Sequence, residues 1–386
     1  MRFSMSLSKG RLALVAAAAV LAASACNGNN ALPSGQAAAA SSAAQVAQQS
    51  VASPVDTTSI LKKLTKDVVI GTTVDPTNGD QGPHSLSIVT TSYGLLSKGQ
   101  LVVCNFEDKT GAAGAGTTID LFDPTPGSKP TTFTQSSDAE GCDSSAISKA
   151  NGVYAGGFTS HVLAAFTDEG KLHKTYGSPL EKPFSDVDAS NSNLYQAEYI
   201  FTSDAKTGGI VSFSINNYGN PKPLQVADGF AVNREPGWGG LGPSGLAYDS
   251  KKNVLYIADG VDSTVVSFNN ASDLLVENEI EVEKGGKTFK CKYEKTTCGT
   301  VVKAGSPLDA PEAMTILPNG NLIAANTAGG NTLVEMTPTG QVLDTKVVDT
   351  SKTAGIFGLV ASGTNDDNTV LFFTDKNSNT LQELEP

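Results

Sequence analysis

The stretch GPSGLAYDSKKNVLYIADGVDSTVVSFN, residues 242–269, packs three apolar runs and two tight turns into a single phrase. The runs cover residues 246–248, 254–258 and 264–268, and each is of strand length and rich in β-branched or aromatic side chains. Between them stand Asp, Ser, Lys, Asn and Gly, the residues that turns demand. No helical period of comparable length runs through the phrase, so it reads as β-strand, turn and β-strand again.

The phrase recurs with drift. APEAMTILPNGNLIAANTAGGNTLVEMTPTG at 310–340 and GIFGLVASGTNDDNTVLFFTDKNSNTLQELEP at 355–386 are close copies. Looser ones begin with GPHSLSIV at residue 82, GCDSSAIS at 141 and PFSDVDAS at 183, making six in all. A unit of roughly 45–65 residues with about four strands matches a propeller blade, which cannot bury both its faces without neighbours. The expected fold is therefore all-β, a six-bladed β-propeller over residues 61–386. The final phrase holds only three strands, and DVVIGTTV at 67–74 is a spare one at the other end of the domain. Pairing the two would close the ring and cover exposed edges.

These phrases resemble the NHL-type propeller repeats and, more distantly, the gluconolactonase, regucalcin and strictosidine-synthase propellers. In the gluconolactonase and regucalcin type, a central divalent metal is held by a Glu, an Asn and an Asp near the starts of inner strands. Glu312 in APEAM matches in residue type, whereas Ser244 and Phe357 occupy positions where that pattern has other ligands. His84, at an inner-strand start, resembles the histidines of streptogramin-lyase propellers, and implies an acid–base role.

The N-terminus carries an address. Arg2, Lys9 and Arg11 precede an apolar run from Leu12 to Ala22 and small residues up to Ala25, the order of a secretory signal peptide over residues 1–25. That run is well short of the roughly 20 residues a membrane-spanning helix needs. Ala23-Ser24-Ala25-Cys26 resembles a bacterial lipoprotein box, which implies lipidation at Cys26 and an outer-membrane-anchored protein of the cell envelope. Residues 26–60 form the expected tether, rich in Ala, Ser and Gln with almost no bulky apolar side chain, and so unable to offset its ordering entropy. As flexible coil it would span on the order of 30 Å.

The chain has a formal net charge of −12, and loss of Arg2, Lys9 and Arg11 on export would make it more acidic still. Nucleic acid is excluded as an expected partner, because phosphate contacts need a basic surface. Membrane contact is expected through the lipid anchor only, and the chain is expected to be a monomer. With Cys26 assigned to lipid, Cys104, Cys142, Cys291 and Cys298 remain as an even set, suited to disulfides in an oxidising compartment. The expected pairs are Cys104–Cys142, tying neighbouring blades, and Cys291–Cys298, closing CKYEKTTC within an insertion, residues 279–303, at the outer part of the fourth blade. A zinc site would want CxxC spacing or clustered histidines, and neither accompanies these cysteines.

Aligning the phrases puts Asn105, Asp204, Asp259, Asn326 and Asp375 at the ends of second strands. His84, Asp143, Ser185, Ser244, Glu312 and Phe357 fall near the starts of inner strands. Carboxylates and amides converging from several blades are oxygen donors of the type Ca²⁺ prefers, so Glu312, Asn326, Asp259 and Asp375 are the candidate metal ligands. The competing reading is that Asp and Asn at strand ends cap their own turns. Asn105, Asp204 and the lone Trp238, in EPGWGG, are candidates for a ligand face; His84 and Glu312 are the candidate catalytic residues. His161 and His173 fall in turns and join neither set. Three functions follow: an envelope-displayed scaffold binding a protein, peptide or glycan, a metal-dependent hydrolase or lactonase centred on Glu312, and a His84-dependent lyase. The scaffold is the leading expectation, since a fold by itself names no reaction.

Overall fold

A computed structural model describes residues 55–190, 198–215, 222–233 and 242–386. Their strands form six sheets, five of them running in sequence order from the centre outwards. The first blade comprises Gln81–Ile88, Leu101–Glu107, Thr118–Phe122 and Thr131–Gln135, and the second Cys142–Ile147, Val153–Gly157, Val162–Phe166 and Leu172–Tyr176. Pro183–Asp188, Tyr199–Asp204, Gly209–Ser214 and Pro223–Asp228 build the third; Pro243–Asp249, Val254–Asp259, Thr264–Asn269 and Gly299–Ala304 the fourth. The fifth has Pro311–Ile316, Leu322–Asn326, Thr332–Met336 and Val342–Val347. Leu359–Ser362, Val370–Asp375 and Thr380–Glu385 make three strands of the sixth, and Lys66–Thr72 pairs antiparallel with the last of these as its outermost strand. The fold is thus a six-bladed propeller closed by its N-terminal strand, as expected.

Burial explains why the strands read as near-continuous apolar runs. The second strands, such as Leu255–Ala258 and Leu322–Ala325, are buried on both faces because each blade is sandwiched between two others. The third strands end in a repeated plug: Phe122, Phe166, Phe213, Phe268 and Met336 are all essentially inaccessible. Each such side chain contributes on the order of 2–3 kcal/mol. At the axis the inner strands crowd together, and Gly245 shows how closely. A methyl group there would meet the backbone of Ala313 and Met314 at 2.7 Å.

Two features lock the ring. Thr73 to Asp80 carry the chain from the closing strand into the first blade. There Asp75 accepts hydrogen bonds from the backbone of Thr77 and Asn78 and from Thr132 at 2.5 Å. Its carboxyl also meets that of Asp120, which is buried and takes a hydrogen bond from Asn105 at 2.8 Å. Burial, then the neighbouring Asp75, push the Asp120 carboxyl up to about 8, so the two acids share a proton at neutral pH. The second lock is Glu335, fully buried, whose carboxylate accepts from the Ser59 hydroxyl, the backbone of Ile60 and Leu61, and Asn321. Ile60, Leu61 and Leu64 pack with Leu333, Ile356 and Phe373 between the fifth and sixth blades. Ser59 and Ile60, read from sequence as the end of a tether, are therefore part of the packed domain.

Both disulfides form as paired. Cys104–Cys142 joins the second strand of the first blade to the inner strand of the second, with Cα atoms 5.2 Å apart. The Cys291–Cys298 bridge corrects an expectation. The insertion does not stay on the fourth blade: Ile280–Glu283 pairs parallel with the outer strand of the third, and Thr288–Cys291 adds a sixth strand to that blade. Only Gly299–Ala304 returns to the fourth. The bridge therefore closes the crossover from the third blade back to the fourth rather than a loop of the fourth blade alone. Residues 1–54, with the signal peptide, Cys26 and most of the tether, lie outside the described residues, as does Trp238.

Candidate functional site

Inner strands run away from one face of the propeller and second strands return to it, so inner-strand starts and second-strand ends share that face. In five blades the register of the inner strand slips at its start: between Pro83 and Ser85, Cys142 and Ser144, Pro183 and Ser185, Pro243 and Leu246, and Pro311 and Ala313. A bulge re-aims the residue it leaves unpaired, and bulges collect next to functional sites. The re-aimed side chains are His84, Asp143, Phe184, Ser244 and Glu312, with Phe357 ahead of the sixth inner strand. In three of the five a proline opens the strand, where no ladder donor is needed, and in the first blade Pro83 stands just before the bulge. The ring thus takes Phe184 from the third blade, not Ser185; the Ser185 hydroxyl instead accepts from the Leu246 backbone.

His84 is the centre of this ring. It is 0% exposed, and its imidazole lies between two parallel rings, Phe106 at 4.2 Å and Phe357 at 4.1 Å. Its Nδ1 is 2.6 Å from Asp143 Oδ1. Burial, and then the positive Lys376, hold His84 well below the usual histidine range. Burial, then Glu312 and Asp186, push Asp143 well up. Both shifts favour a pair without separated charge, in which Asp143 orients the imidazole and the ring presents Nε2 as its remaining polar atom. Glu312, 2% exposed, stands in the fifth blade's bulge and acts on Asp143 electrostatically. Around them Phe158 meets Phe106 edge-on, and Phe184 and Phe357 pack together with Ala205.

Deeper in the channel, burial raises Asp186 to about 7 although Ser144 at 2.7 Å and Thr202 at 2.6 Å donate to it. Ser85, Ser145 and Ser185 line the same space, a cavity of about 50 Å³, too small for an organic ligand.

The other candidate residues are engaged elsewhere. Asp204 accepts from the backbone of Glu181, Lys182, Lys206 and Thr207. Asp259 caps Val261 and Asp262, and Asp375 binds Asn377, Ser378 and Gln382. Asn326 accepts from the Asp309 backbone and donates to Pro307. Asn105 is 0% exposed and donates to Asp120 and Thr118 inside the first blade. Asp259, Asn326 and Asp375 thus cap loops in three different blades instead of joining Glu312. Among the described residues no three His, Cys, Asp or Glu side chains converge in a way that could hold a metal ion. His161 sits in a left-handed turn bonded to the Glu181 carbonyl. Sequence reading gave no role to Asp143, Phe106 or Phe184. The recurring Pro-X-small start of the inner strands is the signal that finds Phe184 and places it with His84 and Glu312.

No protein-family model matches the chain, and no curated protein matches it. Solved structures do. A putative gluconolactonase aligns with a TM-score of 0.50 at 11% identity, over 83% of this chain and 91% of that one. A chain of a nidogen/laminin complex aligns with a TM-score of 0.50 at 14% identity, over 74% and 87%. Virginiamycin B lyase from Staphylococcus aureus aligns with a TM-score of 0.49 at 15% identity, over 83% and 84%. At such identities the likeness is one of fold. The class defined here is the six-bladed propeller with an acid–imidazole cluster at the mouth of its channel.

Proposed function

We propose that the protein is an acid–base enzyme of hydrolase or lyase type, acting at the mouth of the central channel through His84 and Glu312. The observation that carries this reading is the imidazole fixed between two aromatic rings and hydrogen-bonded to a buried carboxyl from the next blade. A depressed imidazole stays neutral at physiological pH and can take a proton, the state a general base requires. Asp143 is a positioning residue that fixes the ring's orientation. Glu312, buried on another blade, is the second acid–base group, and paired groups with divergent environments divide the acid and base roles. The aromatic rim of Phe106, Phe158 and Phe184 suits a substrate with an apolar body. Its rings must part to admit one, since His84 is wholly covered.

On this reading NHL-type repeats supply the scaffold, and the chain is a monomer exported by its signal peptide and displayed at the cell envelope through a lipid on Cys26. The test is turnover of a panel of lactones and esters by the tag-free chain, beside His84→Ala and Glu312→Gln variants of equal thermal stability. Loss of about 10²-fold or more in each variant is expected for a lost acid–base group. Turnover untouched by both substitutions would refute the assignment. A chain that turns over none of the panel and binds a protein or peptide at the same mouth would return the preference to a scaffold.

A further inference from the structure

A second cavity lies apart from the channel. A groove of about 430 Å³ opens on the fifth blade beside the connector that leads into it from the fourth, lined by Ser306, Asp309, Gly329, Thr332 and Thr345 among others. It lies on the same face as the His84 ring, because residues 305–310 lead directly into the inner strand that carries Glu312. Its volume falls within the range of small-molecule sites.

The walls are built before any ligand arrives. Asn326 reaches across the seam, accepting from the Asp309 backbone at 3.0 Å and donating to the Pro307 carbonyl at 2.8 Å. Thr327 doubles the staple, its backbone and hydroxyl both bonded to the Ala310 carbonyl. The floor between these walls is bare. Gly329 and Gly330 hold φ of +68° and +106°, and a side chain on Gly329 would collide with the Asp309 carboxylate at 2.6 Å. Asp309 therefore stands over a bare floor whose left-handed backbone favours glycine. By contrast with the capping carboxylates of the neighbouring turns, the side chains of Asp309, Ser306 and Thr345 are engaged by no hydrogen bond among the described residues.

From this we infer that the groove is a binding site for a neutral polyhydroxylated ligand, a sugar ring of monosaccharide size. One carboxylate can accept two hydrogen bonds from neighbouring hydroxyls, and Ser306 and Thr345 can each donate and accept. A single acid in an already acidic protein repels anions without making a strong cation site. The ring of Pro307 adds an apolar edge that suits the carbon face of a sugar ring. The groove stands on its own geometry, independent of the reaction assigned to His84.

The experiment is a titration of the full chain by ligand-observed NMR and calorimetry with glucose, galactose, mannose and N-acetylglucosamine, beside gluconate and a trilysine peptide. At least one neutral sugar binds saturably in the millimolar range. Asp309→Ala weakens it by about tenfold or more, the loss expected when a charged acceptor is removed. Thr345→Trp, an exposed strand position, fills the groove and abolishes binding without lowering thermal stability. His84→Ala leaves it unchanged, which separates this site from the channel centre. Absence of saturable binding by all four sugars overturns the inference. So does binding of trilysine alone, or sugar binding indifferent to both groove variants.

Discussion

Replacing Asp120 by asparagine should make the propeller more stable at neutral and mildly alkaline pH and leave it unchanged in acid. Asp120 faces Asp75 across the junction between the closing strand and the first blade, and its carboxyl is pushed up to about 8, by burial first and Asp75 second. A folded value above the unfolded one means that the folded state holds an extra proton between the two. The stability it confers is complete below the unfolded value and is lost as pH rises through the folded value. An amide at position 120 donates to Asp75 at every pH and still accepts from Asn105, so it mimics the protonated acid. The stability gap between variant and wild type then opens by about 1.4 kcal/mol per pH unit, at most about 3.5 kcal/mol between about pH 5 and about pH 7.5. Urea unfolding of both proteins across that interval reads the gap directly. Other buried acids, Asp143 and Asp186 among them, titrate in both proteins and cancel in the difference. Parallel stability curves would refute the shared proton, and a variant less stable at every pH would show that the asparagine cannot replace the acid.

Other consequences follow from particular contacts. Replacing both Cys104 and Cys142 by serine opens a 38-residue separation and should cost up to about 4 kcal/mol in thermal or urea unfolding, the scale for loops of that length. Glu335→Ala strips the acceptor from Ser59, Ile60 and Leu61, so hydrogen exchange at residues 60–64 should rise sharply while the second strands stay protected. Gly245→Ala forces a methyl group against the Ala313–Met314 backbone and should destabilise by more than about 2 kcal/mol, measured as a fall in melting temperature.

Much of the fold was legible because a blade is a local object. Each phrase carries its own turns, and antiparallel neighbours along the chain pair with each other, so the periodic runs around Leu255 and Leu322 were enough to count blades. The spare strand near Asp67 could be placed because the last phrase was one strand short. The insertion could not be placed, since Ile280 pairs in parallel with a strand some fifty residues earlier and no local pattern encodes that choice. The site was half visible. His84 and Glu312 stood out as polar residues at inner-strand starts, whereas Asp204, Asp259 and Asp375 have the same residue type at strand ends and serve their own turns. Phe106 and Phe184 look in sequence like any other core aromatic. Glu335, within TLVEM, reads as an outward polar position, and only the returning N-terminal segment explains its burial.

The claim on which the rest depends is that His84 is a buried, neutral imidazole held by Asp143 at the channel mouth. Nitrogen-15 NMR of the histidine side chains across the acid range tests it most directly. His84 is expected to stay neutral at acidities where an ordinary imidazole is already protonated, and Asp143→Asn to alter its tautomer signature. A His84 that titrates in the ordinary histidine range, indifferent to position 143, would contradict it.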